Sequence, residues 1–198
     1  MSIPFVGLTG GLGAGKSEAL RAFADLGAAT LSTDAVVHEL LGSDELRDPV
    51  VERLGTDVAP AGTLDRTRIA ERVFGDDDAR AWLEGVLWPR VGERVSRWRA
   101  ELDAADRPPR AAVVEVPLLF EAGMESVFDA TIAVVADEPL RGKRAAARGH
   151  ASVTERSGRQ LPQDEKARRA DFTVRNDGSL EDLRASLSAV LAQIERTS

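Results

Sequence analysis

Between residues 10 and 17 the chain reads Gly10-Gly11-Leu12-Gly13-Ala14-Gly15-Lys16-Ser17, matching G-x-x-x-x-G-K-[ST] at every specified position. The pattern requires a buried strand running in and a helix running out. The apolar run Ile3–Leu8 provides the first, and the helical stretch Lys16–Leu26 the second. Glycine lets the backbone curl with its N–H groups inward and puts no Cβ in the way of phosphate oxygens. The helix that starts at the loop adds its positive dipole end and its unpaired N–H groups. In such a turn Lys16 reaches the β- and γ-phosphates and the Ser17 hydroxyl sits on Mg²⁺. Gly11, Leu12, Gly13, Ala14, Gly15 and Glu18 complete the cradle. The motif predicts a nucleoside triphosphate site.

Beyond the loop, strand and helix patterns alternate, which predicts a parallel sheet covered on both faces. The strands read as Ile3–Leu8, Ala29–Ser32, Ala111–Val116, Thr131–Ala136 and Phe172–Val174. The last helix, Leu180–Ile194, repeats apolar residues at helical spacing behind Ser179, a candidate N-cap. Between the second and third strands lie about eighty residues, far more than one crossover needs. Helical signals fill them at Val36–Leu41, Arg66–Phe74 and Ala79–Leu102. In the last, Trp82, Val86, Leu87, Val91, Val95, Trp98 and Leu102 make an apolar stripe that Pro89 should kink or divide. The expected organisation is a single domain, 1–198. Within it, a helical substrate-binding insertion runs from about 35 to 108, and a helical-hairpin lid, broken at Gly149, from about 139 to 169.

Composition sets the class. The 198 residues are 43% hydrophobic and 30% charged, with no cysteine, so disulfides and thiolate metal sites are excluded. There is no basic leader and no run of the ~18 apolar residues a membrane span needs, so a cytoplasmic protein without a membrane partner is expected. A net charge of −7 argues against nucleic acid. The segment Arg141–Arg169 runs the other way, with nine Lys/Arg against three Asp/Glu. One basic segment in an acidic chain suggests a local anion site, although charge alone favours a solvated helix.

Several residues are candidates for chemistry. The second strand runs into Asp34 on the sheet edge where ligands bind, so its carboxylate can accept a proton from an attacking hydroxyl. The same residue is also a good helix cap. Asp34 and His38 have a metal-ligand spacing, but no further His or Cys cluster supports it, and His38 reads as a surface or cleft residue. Glu115 closes the third strand and is a weak candidate for helping to hold Mg²⁺. Leu118 and Phe120 follow at the same edge, either receiving an organic ligand or packing in the core. Arg144 and Arg148 are four apart, with Arg141 one turn earlier, a spacing that can clamp phosphates. Asn176 stands where a P-loop kinase often recognises the purine; alternatively it is an ordinary turn residue.

Taken in order, these motifs resemble the dephospho-CoA kinase family nearly end to end. The resemblance rests on Thr9–Ser17, on Asp34 with His38-Glu39-Leu40, and on Leu64-Asp65-Arg66 with Val73-Phe74. It continues through Pro117-Leu118-Leu119-Phe120-Glu121, Phe128-Asp129, Arg144, Arg148, Gln160–Lys166 and Ala170-Asp171 to Asn176. Three positions depart from the family pattern. Trp88 precedes Pro89 where His is usual, Glu18 stands where Thr is common, and Glu115 replaces a frequent Asp. The resemblance implies a P-loop α/β/α fold with a five-stranded parallel sheet. It also implies transfer of the γ-phosphate of ATP, with Mg²⁺, to the ribose 3′-hydroxyl of dephospho-CoA, giving coenzyme A. Asp34 would be the base, Lys16, Arg144 and Arg148 the charge stabilisers, and Arg66, Leu118 and Phe120 acceptor contacts. A monomer is expected, with a small oligomer as the alternative. The competing functions are another small-molecule kinase, for a nucleoside or shikimate-like acceptor, and a slowly hydrolysing nucleotide switch.

Overall fold

A computed structural model describes residues 3–147 and 160–197. Among the described residues, β1 (Phe5–Gly10), β2 (Ala29–Ser32), β3 (Ala112–Glu115), β4 (Ala130–Val135) and β5 (Phe172–Arg175) form one parallel sheet. Its order is β2-β3-β1-β4-β5. The described helices are α1 (Lys16–Asp25), α2 (Thr33–Leu41), α3 (Asp44–Leu54), α4 (Arg66–Val73), α5 (Asp77–Asp103), α6 (Glu138–Ala147), α7 (Gln163–Arg169) and α8 (Leu180–Thr197). Every residue of β1, β3 and β4 is buried, as strands covered on both faces must be. The expected α/β fold with a five-stranded parallel sheet is therefore present, each strand within two residues of its predicted ends.

The chain divides into two compact units, Met1–Ser32 with Arg99–Ser198, and Thr33–Trp98. The first is built on the sheet. Val6, Leu8, Ile132, Val134 and Val174 point to one face and pack against Phe23 of α1 and Leu183, Leu187 and Leu191 of α8. Strand alternation sends Gly7 and Thr9 to the other face, where a Cβ on Gly7 would strike Leu119 and where Thr9 meets Lys166 of α7. β1 is central, so its carboxyl end at Gly10 opens between β3 and β4, at the point where strand order reverses. Ser179 starts α8 as expected. Its Oγ accepts from the Asp182 N–H at 3.1 Å, and the Asp182 carboxylate accepts from the Ser179 N–H at 2.9 Å.

The second unit holds α2, α3, α4 and the body of α5. α3 has no counterpart in the sequence-based reading. Leu46, Val50 and Leu54 give it a buried seam at a spacing of four, and Pro49 inside it masks the pattern. Asp65 caps α4 by accepting from Thr67 and Arg68 N–H at 2.9 and 3.2 Å. α5 differs from expectation twice. It continues as one helix through Pro89, and Arg90 one residue on donates its guanidinium to Val86 O at 2.9 Å. Its buried seam is Ala79, Leu83 and Leu87, whereas most of the predicted stripe stays half-buried and Trp88 is 53% exposed. No helix among the described residues is long and apolar enough to cross a membrane.

Candidate active site

The first unit assembles its site around the turn from β1 into α1. Gly13 and Gly15 take φ of 75° and 97°, left-handed values that any side chain would strain. Gly15 is also the N-cap of α1, so the loop's last glycine turns the chain into the helix whose dipole end faces the loop. Space enforces the same choice. A Cβ on Gly13 would come within 2.4 Å of the Arg141 carbonyl oxygen, and one on Gly15 within 2.0 Å of Asn176 Nδ2. Lys16 Nζ donates to Gly10 O and Gly11 O, at 3.1 and 3.2 Å, so its ammonium arches over the loop. Ser17 is half-buried in the first turn of α1, and Glu18 pairs with Arg21 at 3.3 Å.

The first described turns of the basic segment, in α6, lie against this loop. Arg141 Nε donates to Leu12 O at 3.0 Å, and its guanidinium lies 2.9 Å from where a Cβ on Gly11 would stand. Arg144 Nη1 donates to Asn176 O at 3.0 Å. Asn176, 3% exposed, donates its amide to Ala14 O at 2.9 Å. This asparagine therefore braces the loop backbone through one N–H of its amide, which is more than an ordinary turn residue does. The solvated-helix reading of the segment does not hold for Arg141, Arg144 or Lys166, whose charges turn inward. Arg148 lies outside the described residues.

At the carboxyl edge, Glu115 is 7% exposed, in register with Leu8 of β1 and Ser32 of β2. Ser17 and Glu115 are oxygen donors suited to Mg²⁺, which takes few protein ligands and completes its shell with water and phosphate. Among the described residues, no group of three or more His, Cys, Asp or Glu could hold a metal ion. Leu118 is half-buried. Phe120 is not exposed for a ligand: it is 3% accessible, with the Arg169 guanidinium 4.9 Å above its ring.

Sequence reading missed Lys166, which it counted as part of the basic surface. The side chain has no accessible surface and bonds Pro117 O, Thr9 Oγ1 and the Glu121 carboxylate. Burial pushes its pKa below the ordinary lysine value, and Glu121 opposes that shift. Its partners lie 45 and more residues away, so its burial has no local signal, although Gln160–Lys166 is one of the stretches that carry the family resemblance.

The second unit carries a separate group. Asp34 is the second residue of α2, one place inside the helix rather than at its cap, and its side chain is exposed. His38, one turn on, meets Arg66 at the start of α4 through Nδ1. His38 is exposed, as a surface or cleft residue should be, with Arg66 as its partner.

A parallel sheet of this order with a G-x-x-x-x-G-K-S turn after its central strand defines a P-loop kinase fold. The chain belongs to the dephospho-CoA kinase family, whose sequence profile matches residues 4–182. It is 39% identical over 197 residues to the dephospho-CoA kinase of Moorella thermoacetica, covering 96% of this chain and 92% of that protein. The Deinococcus radiodurans dephospho-CoA kinase is 38% identical over 195 residues, covering 97% and 93%. Among solved structures, a Thermus thermophilus protein superposes with a TM-score of 0.79 at 33% identity, covering 98% of both chains. Shikimate kinase from Acinetobacter baumannii, at 14% identity and a TM-score of 0.54 over 100% and 96%, shares the fold alone.

Proposed function

We propose that this chain transfers the γ-phosphoryl group of ATP to the 3′-hydroxyl of the dephospho-CoA ribose, releasing ADP and coenzyme A, the last step of coenzyme A synthesis. Family membership over nearly the whole chain carries the reading. The arginines of the basic segment, folded against the glycine loop, supply the chemistry it needs.

Loop N–H groups, with Gly11 to Gly15 and Glu18 in the backbone cradle, bind the phosphates. Lys16, Arg144 and Arg148 offset the charge that spreads over the transferred group. Ser17, with Glu115 as a second candidate, would hold Mg²⁺, which would supply positive charge to the phosphate oxygens. Asp34 takes the proton from the 3′-hydroxyl as the new O–P bond forms and the bond to the ADP oxygen breaks. Arg66, Leu118 and Phe120 receive the acceptor, Phe120 from the packed side of its own loop. Asn176 holds the phosphate loop in shape. The protein works in the cytoplasm as a monomer, without membrane or nucleic acid.

The test is ADP and coenzyme A formation from ATP and Mg²⁺, with and without dephospho-CoA. Stoichiometric coenzyme A, appearing only with acceptor, is the expected result. ADP release that ignores dephospho-CoA would overturn the assignment.

A further inference from the structure

A lysine with no accessible surface is costly unless its charge is matched, and an apolar residue of similar length would fill the same space without that cost. Lys166 is matched three times. Its Nζ donates to Pro117 O at 2.6 Å, pairs with the Glu121 carboxylate at 3.0 and 3.3 Å, and lies 3.3 Å from Thr9 Oγ1. The partners come from three places: the end of β1 just before the phosphate loop, the residue past β3 and its strand end, and the loop that follows. Thr9 Oγ1 also donates to Pro117 O at 3.3 Å, closing the ring.

The return of the basic segment is tied to the same edge. Glu121 Oε1 accepts from Leu161 N–H at 2.7 Å. Gln163 pairs with Ala136 at both ends of its amide, at 3.2 and 2.9 Å, just beyond β4. One buried ammonium therefore sits where β1, β3 and α7 meet, on the far side of Thr9 from the core packed under α1.

We infer that Lys166 is a positioning residue for phosphoryl transfer, fixing loop 117–121 against the phosphate loop through Thr9, Pro117 and Glu121. With no accessible surface, it would act through these partners and not by contact with nucleotide or acceptor. The inference rests on the kinase reading above, because its effect is on the alignment of an acceptor with the γ-phosphate.

The experiment compares wild type, Lys166→Met, Glu121→Gln and the double variant in coenzyme A formation, thermal melting and amide hydrogen exchange without acceptor. The expected result for Lys166→Met is kcat at least ~10-fold lower, KM for ATP within about twofold, and faster exchange over 117–123. Losses in the double variant should fall well short of additive, since both residues act through one network. A Lys166→Met protein with wild-type kcat, or with only a lower melting point, overturns the inference. Should Lys166→Met not fold, Glu121→Gln decides: slower turnover with faster exchange at 117–123 supports it, and wild-type values of both overturn it. A wild-type chain inactive on dephospho-CoA would overturn the kinase reading instead, and unchanged exchange in the variants would still overturn this inference on its own.

Discussion

The guanidinium of Arg144 donates to the backbone carbonyl of Asn176 at 3.0 Å, and the Asn176 amide donates to Ala14 O in the phosphate loop at 2.9 Å. The basic helix α6 is thereby joined to the glycine loop through one asparagine. Anything that moves the arginine also bears on the loop's shape.

Arg144→Ala removes a positioned donor at this loop. Such a loss typically raises the barrier by ~3–4 kcal/mol, or roughly 10²–10³ in rate. We expect kcat for coenzyme A formation to fall on that order while the circular dichroism spectrum is unchanged. The Arg148→Ala variant is expected to show a similar loss.

Asp34→Asn keeps the shape of an exposed side chain and removes its basicity. Loss of a general base costs roughly 10²–10⁴ in rate. Acceptor-dependent turnover should collapse by that factor with ATP affinity unchanged, as read by equilibrium titration. Retained turnover would make Asp34 a residue of the first turn of α2 and nothing more.

Asn176→Ala leaves the Ala14 carbonyl without its amide partner in a buried place. An unsatisfied buried acceptor costs about 1–3 kcal/mol. The variant should melt several degrees lower and bind ATP more weakly, by about tenfold or more, because the loop loses its brace. Thermal melts with and without ATP measure both.

Acid stability should depend on Glu195. Arg110 grips it with two bonds of 2.7 Å, and that pairing holds the Glu195 carboxyl below its ordinary pKa. A depressed carboxylate contributes stability above the unfolded pKa and loses it as pH falls through the folded one. Partly exposed pairs are worth about 0.2–1 kcal/mol. Glu195→Gln should therefore melt slightly lower than wild type at pH 7, with the two curves converging as pH falls below about 4. Melting curves across that range test the sign.

Most of the framework was legible because local chemistry dictates it. The G-x-x-x-x-G-K-S turn demands its strand and helix, and the apolar runs of β3 and β4 have few other uses. Helix α3 is hidden because Pro49 interrupts a weak seam, and α5 continues as one helix past Pro89, a proline inside it notwithstanding. In the site, the motif points to Lys16 and Ser17 and the spacing to Arg144, but no spacing indicates that the Asn176 amide bonds Ala14 O or that Phe120 is packed under Arg169.

The order and spacing of residues by themselves determined the fold class and the phosphate loop, since each depends on short-range geometry repeated along the chain, and the family followed from the resemblance of the motifs. Only the tertiary structure decided which charges in the basic segment leave solvent. Lys166 and Arg168 sit two apart on one short helix, yet the first is fully buried against Glu121 and the second faces solvent with Glu165. That difference comes from partners more than forty residues away, and no local pattern of sequence carries the cost of desolvating a charge or the bonds that offset it.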